Sequence, residues 1–155
     1  MSFELNQTQL SILNAAKNIL KKFDDDYWLD CDLNSKFPEK FYNEVAKGGW
    51  LGMCMPKQFG GSNLGVKEAS LFMQAVAESG GGMTAASSIH INIFGPHPIV
   101  IYGTKKQKEN WLPPLISGQE KTCFGVTEPD SGLDTGRLKT KAKKVQGGYI
   151  INGQK

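Results

Sequence analysis

The sequence predicts an α+β fold, an amino-terminal all-α helical domain followed by the first strands of an antiparallel β-domain, on three observations. Apolar residues recur at three and four as far as about Ser117, the period shortens after Gly118, and Arg137 to Asn152 reads as strand, glycine turn, strand. The corresponding domains are residues 1–118 and 119–155. A chain of 155 residues suffices for one domain with a sizeable core or for a domain with part of a second.

Leu10, Ile12, Leu13, Ala16, Ile19, Leu20 and Phe23 lie on one helical face, which predicts a helix over 9–23. Asp24, Asp25 and Asp26 then act as a break. Pro38 suits the first turn of a second helix that runs toward Ala46 and stops at Gly48 and Gly49. Trp50 to Met55 is a short apolar link, and Pro56 with the glycine-rich stretch from Phe59 to Gly65 is a loop. A helical pattern returns over 66–77 and ends at Gly80 to Gly82. Residues 83–94 and 96–102 read as two apolar, buried helices separated by Gly95. Thr104 and Gln107 form a capping box that opens a helix over 105–116, which Pro113 and Pro114 should end or kink near Leu112. Five or six helices therefore precede Ser117. Beyond it, residues 121–126 form a short β-type run, 137–145 alternate as a strand, 146–148 turn, and 149–152 pair back. A sheet of so few strands leaves a hydrophobic face uncovered.

The 18 Lys and Arg against 15 Asp and Glu give a net charge of +3, too small for the basic field that nucleic-acid binding draws on. The basic runs 105–108 and 139–144 read as a helix surface and an outer strand face. Cys31, Cys54 and Cys123 are odd in number and lack paired spacing, and His90 and His97 stand isolated among apolar residues, so no metal site is expected. No segment has the apolar length of a membrane span. The first nine residues lack a secretory pattern, and with Glu4 and no arginine they also lack an import pattern, which predicts a cytoplasmic protein. Trp50, Phe94 and Trp111 read as core.

The loop from Thr127 to Gly136, with Pro129, Gly132 and Gly136, can present consecutive backbone N–H groups to a ligand. The plainer alternative is a polar connection in which Thr127, Asp130, Ser131 and Asp134 satisfy their own turn.

The run CFGVTEPDSGLD at 123–134 and the Asn152-Gly153 turn followed by Lys155 resemble the acyl-CoA dehydrogenase family, whose V-T-E-P-x-x-G-S-D signature leads through two strands to N-G-x-K. The phrases GWLGMCMPKQFGG at 49–61 and YGTKKQKENWLPPLISGQEKTCFGVTEP at 102–129 follow the same order of helix, glycine loop and entry to the sheet. The resemblance implies FAD as cofactor, with Phe124, Val126 and Thr127 along the isoalloxazine and the Thr127 hydroxyl and nearby amides as donors. Gly132 would lie near the pyrophosphate and the thioester. Leu133 departs from the pattern: a serine whose side chain contacts acyl-CoA usually stands there, so the position keeps its amide for the cofactor while its substrate contact changes. Met73, Ala75, Met83 and Ile93 are candidates for the wall of an acyl pocket.

The family reaction is α,β-dehydrogenation of an acyl-CoA thioester, with electrons passed to an electron-transfer flavoprotein or related acceptor by homotetramers or dimers. In the family the catalytic base is a glutamate of a carboxyl-terminal helical domain, so no catalytic residue is assigned here, Glu128 included. The third strand, with its Trp-Ile-Thr flavin contact, would follow Lys155, and the 155 residues alone are expected to be inactive. Two alternatives stand: a flavin-dependent oxidase or monooxygenase of the same fold, or a non-enzymatic helical interaction module if the chain truly ends at Lys155.

Overall fold

The computed structural model describes residues 4–155. Its contacts divide the chain into two compact units, one reaching to Thr122 and one from Cys123 to Lys155. The first carries seven α-helices among the described residues: α1 Gln7–Leu20, α2 Asp25–Leu33, α3 Glu39–Lys47, α4 Val66–Ala77, α5 Gly82–Phe94, α6 His97–Tyr102 and α7 Lys105–Ile116. Single 3-10 turns at Trp50–Gly52 and Lys57–Phe59 bend the chain between α3 and α4.

Helix α1 begins two residues before the predicted start because Asn6 caps it: its side chain accepts from the Gln9 amide at 2.9 Å, and Gln9 Oε1 accepts from the Asn6 amide at 3.1 Å. It ends at Leu20 rather than Phe23. The acidic triplet does not only break α1. Asp24 caps α2 by accepting from the Tyr27 amide at 2.9 Å, and Asp25 and Asp26 sit in the positive first turn, so three acids start a helix absent from the sequence reading. Only Trp28 and Cys31 of α2 are buried, whereas Leu29 and Leu33 are exposed, which explains why no apolar stripe announced it.

The main core joins Ile12 and Ala16 of α1, Phe41, Tyr42 and Val45 of α3, Phe72 and Val76 of α4, and Ile89 and Ile93 of α5 around Leu51 and Met53. Each such side chain removed from water stabilises the unit by about 1.5–3 kcal/mol before the entropy of ordering is subtracted. Phe23 meets Phe41 edge to face at 5.6 Å, and Trp50 stacks on Phe72 at 4.9 Å, both serving packing. Trp111, expected in the core, is instead on the exposed side of α7. The expectation of burial also fails for α6, where none of the helical residues is buried and only Ile99 and Val100 lean on a smaller cluster of Met55, Leu112, Leu115 and Ile116.

That smaller cluster also overrides the two prolines: α7 runs on to Ile116 instead of ending at Leu112. The donors that Pro113 and Pro114 lack belong to the last turn, and their carbonyls still accept from Ser117 at 3.0 Å and Glu120 at 3.1 Å. Gly118 then turns the chain with φ +75° so tightly that a Cβ there would meet the Ala46 methyl at 2.7 Å.

The second unit holds a single antiparallel hairpin among the described residues, β1 Lys141–Val145 with β2 Gly148–Asn152, in the register Lys143↔Ile150 and Val145↔Gly148. Gly147 supplies the turn at φ +82°. Both strands are exposed along their whole length, with Tyr149, Ile150 and Ile151 all outward. Two predicted strand segments are not strands. Residues 121–126 join no strand ladder among the described residues, and 137–140 leave the ladder because Arg137 closes a 3-10 turn while the Lys139 and Thr140 amides turn to the Glu128 carboxylate. No helix among the described residues is long and apolar enough to cross a membrane.

Candidate functional site: a carboxylate-braced amide loop and a groove between two helices

The loop between Cys123 and Thr140 is organised from inside by Glu128, whose side chain is buried although it carries a charge. Its oxygens accept from the backbone amides of Lys139 and Thr140, the latter at 3.0 Å, and the Lys155 ammonium lies 3.1 Å away. Burying a carboxylate is costly unless donors and an opposite charge surround it, and here both do. The Thr140 hydroxyl beside it, the Lys139 and Thr140 amides and Lys155 hold its carboxyl far below the ordinary carboxylate range, at about 2. That hydroxyl is buried and closes no hydrogen bond of its own among the described residues, so the two amides and Lys155 are its firmer partners.

Pro129 and Asp130 form the tip of a four-residue turn closed in both directions. The Glu128 amide donates to the Ser131 carbonyl at 2.9 Å, and the Ser131 amide donates to the Glu128 carbonyl at 3.1 Å. The Ser131 hydroxyl, also buried, donates to the Asp134 carbonyl at 2.6 Å. Asp130 faces outward and pairs with Lys139 at 2.6 Å. Of the four polar side chains, Ser131 bonds within its own turn and Asp130 pairs with Lys139, and backbone donors are left over. Among the described residues, no hydrogen bond is donated by the amides of 123–127 or 132–134.

Phe124, Thr127, Gly132 and Leu133 are exposed and Val126 is half-buried. Leu133 extends fully into solvent, and nothing lies within 4 Å of where a side chain on Gly132 would sit. An open surface with two runs of uncommitted N–H groups suits a ligand rich in acceptor oxygens and ring nitrogens, which is the donor chemistry that a flavin and its pyrophosphate require. The residues present fit that group.

Upstream, buried Asn92 of α5 fastens the chain leaving the helical unit. Its amide nitrogen donates to Tyr42 Oη at 2.9 Å and to the Glu120 carbonyl at 3.2 Å, while its oxygen accepts from the Thr122 amide at 3.1 Å. Sequence reasoning missed Asn92 because nothing in its spacing distinguishes it from the other polar residues of α5, Thr84, Ser87, Ser88 and His90. It missed the bracing role of Glu128 because the partners stand eleven and twelve residues away.

An apolar groove of about 460 Å³ separates α4 from α5, lined by Met73, Ala77, Met83, Ala86, His90 and Phe94 together with Ser70, Gln74 and Ser87. Two of the four residues expected to wall an acyl pocket, Met73 and Met83, line it. Ala75 and Ile93 point instead into the main core. His90 is exposed, its ring 5.4 Å from that of Phe94.

The family model described as acyl-CoA dehydrogenase, N-terminal domain, matches residues 6–119. The chain belongs to the acyl-CoA dehydrogenase family. It is similar to the acryloyl-CoA reductase (NADH) of Anaerotignum propionicum, 35% identical over 158 residues that cover 100% of this chain and 39% of that protein. Among solved structures it resembles butyryl-CoA dehydrogenase from Megasphaera elsdenii, with TM-score 0.80 and 27% identity over 99% of this chain and 41% of that one. It also resembles PigA with FAD and proline, with TM-score 0.85 and 25% identity over 99% of this chain and 40% of that one. The chain thus spans about 40% of the length of these relatives.

Proposed function

We propose that this chain supplies the helical amino-terminal domain, residues 1–118, and the opening of the flavin-binding β-domain, residues 119–155, of an FAD-dependent acyl-CoA dehydrogenase. The enzyme acts in the cytoplasm on the α,β-bond of an acyl-CoA thioester. The observation that carries the reading is the VTEP loop of a family member, braced by buried Glu128, in which the amides of 123–127 and 132–134 donate to no acceptor among the described residues. Its support includes a structural relative that holds FAD.

When bound, FAD supplies the acceptor for the β-hydrogen of the substrate as hydride. Phe124 and Val126 would flank the ring, the Thr127 hydroxyl and amide would donate to its polar edge, and Gly132 and the Leu133 amide would donate toward pyrophosphate and thioester. Met73 and Met83 line the acyl side. The leucine at 133 contributes no hydroxyl, so its substrate contact is apolar. The α-proton passes to a carboxylate outside these residues, which leaves the chain itself without a catalytic residue. Electrons continue to an electron-transfer flavoprotein or a related acceptor, and the assembled enzyme is a homo-oligomer, a tetramer or dimer.

The test is anaerobic addition of an acyl-CoA series to the purified whole protein while the flavin absorbance is followed. Bleaching that a flavoprotein acceptor reverses supports dehydrogenation. Bleaching reversed only by oxygen would replace it with an oxidase or monooxygenase of the same fold. Absence of flavin together with a stable hetero-complex would leave a helical interaction module.

A further inference from the structure

The amide of one residue and the carbonyl of the residue before it share a planar trans peptide and point in opposite directions. Fixing a carbonyl therefore aims the next N–H. Lys155 Nζ donates to the Val126 carbonyl at 2.8 Å while pairing with Glu128, which turns the Thr127 N–H to the side away from Lys155. The Glu128 amide holds the Ser131 carbonyl at 2.9 Å, which in the same way turns the Gly132 N–H outward from the closed turn. Both carbonyls are thus held through Glu128, one by its own backbone amide and the other by the Lys155 ammonium that pairs with its buried carboxylate, itself pinned by the Lys139 and Thr140 amides.

We propose that Glu128 and Lys155 are positioning residues that together set the direction of the Thr127 and Gly132 amides for the flavin; the inference rests on the flavin reading above. Neither side chain touches the cofactor in this scheme. Glu128 anchors the turn, and Lys155 carries its charge balance to the opposite end of the loop. Glu128 thereby presets two donors about five residues apart, one through its carboxylate and Lys155 and one through the turn that its carboxylate anchors, so that they need no reorganisation when the ligand arrives.

The experiment compares Glu128→Gln and Lys155→Met with the unaltered whole protein, using amide hydrogen exchange without flavin, FAD affinity, and the band shape of bound FAD. Gln keeps the volume but replaces one acceptor oxygen with a donor NH₂ that faces a backbone N–H. Glu128→Gln should speed exchange at Lys139 and Thr140, leave the Lys143↔Ile150 pairing protected, and weaken FAD by about tenfold to a hundredfold. Lys155→Met should spare the Lys139 and Thr140 amides yet weaken FAD severalfold and shift its band shape, and it carries the test should the Gln variant lose its hairpin.

Wild-type affinity and band shape in a Gln variant whose amides are freed would overturn the positioning role while leaving the flavin reading in place. Failure of the unaltered protein to bind FAD would overturn both.

Discussion

All the buried apolar side chains among the described residues lie at or before Ile116, whereas the two buried side chains between Cys123 and Lys155 are Glu128 and Ser131, both polar. The helical unit is held by packing, which is non-directional and spread over many residues. The hairpin unit is held by a few directed bonds to one charge. The contrast teaches where each unit is vulnerable. A packed core tolerates polar surface changes and suffers from lost volume; a braced loop tolerates lost volume and suffers from a change of one atom.

The largest effect expected from breaking this comparison is at Phe41, fully buried where Phe23 and Trp28 converge. Phe41→Ala should cost the helical unit about 3–5 kcal/mol, read from denaturant unfolding followed by helical circular dichroism, with β1–β2 pairing unchanged. A loss confined to the hairpin would invert the comparison. Next is Asn92→Leu, which removes four hydrogen bonds inside the packed unit and leaves the Tyr42 hydroxyl and the Thr122 amide short of a partner. Its cost should be about 1–3 kcal/mol, with faster exchange of the Thr122 amide. Asp24→Ala removes the α2 cap and should cost about 1 kcal/mol by the same unfolding measurement.

Two smaller changes sharpen the other side. Leu133→Ser alters a side chain that lies fully in solvent, so stability should not move. In the whole enzyme it should lower the KM for acyl-CoA by about threefold to tenfold, by restoring one hydroxyl donor, with FAD affinity constant. In the hairpin unit, acid should loosen the Glu128 brace before the strand pairing is lost. The Glu128 pKa is depressed, so its contribution is fully present above the ordinary carboxylate range and disappears as pH falls toward about 2. Carbon NMR of the Glu128 carboxyl should show its midpoint there, with the Lys139 and Thr140 amides exchanging faster as it protonates; a midpoint near an ordinary glutamate value would contradict the bracing geometry.

Legibility followed the kind of force involved. The stripes of α1 and α4 were readable because burial selects one face, and the Thr104–Gln107 capping box because its two bonds join residues three apart, at 2.8 and 3.3 Å. Helix α2 was not, since its acids read as a break when judged without the helix they cap. Pro113 and Pro114 misled because the rule for prolines describes a lost donor and says nothing of Leu112, Leu115 and Ile116 packing on Met55. In the candidate site the loop and its glycines were visible. Which amides stay uncommitted was not, because that depends on where Glu128, Lys139, Thr140 and Lys155 meet.

The sequence by itself determined the order of helices followed by hairpin and the Gly147 turn, since each depends on residues within a few positions of one another, and its match over residues 6–119 places the chain in its family. Only the tertiary structure decided that Met73 and Met83 face a groove while Ala75 and Ile93 face the core, that Asn92 is a fastener, and that Glu128 is a buried brace with its carboxyl held near 2. Those assignments rest on distances between residues remote in sequence, and burial and electrostatics respond to distance in space.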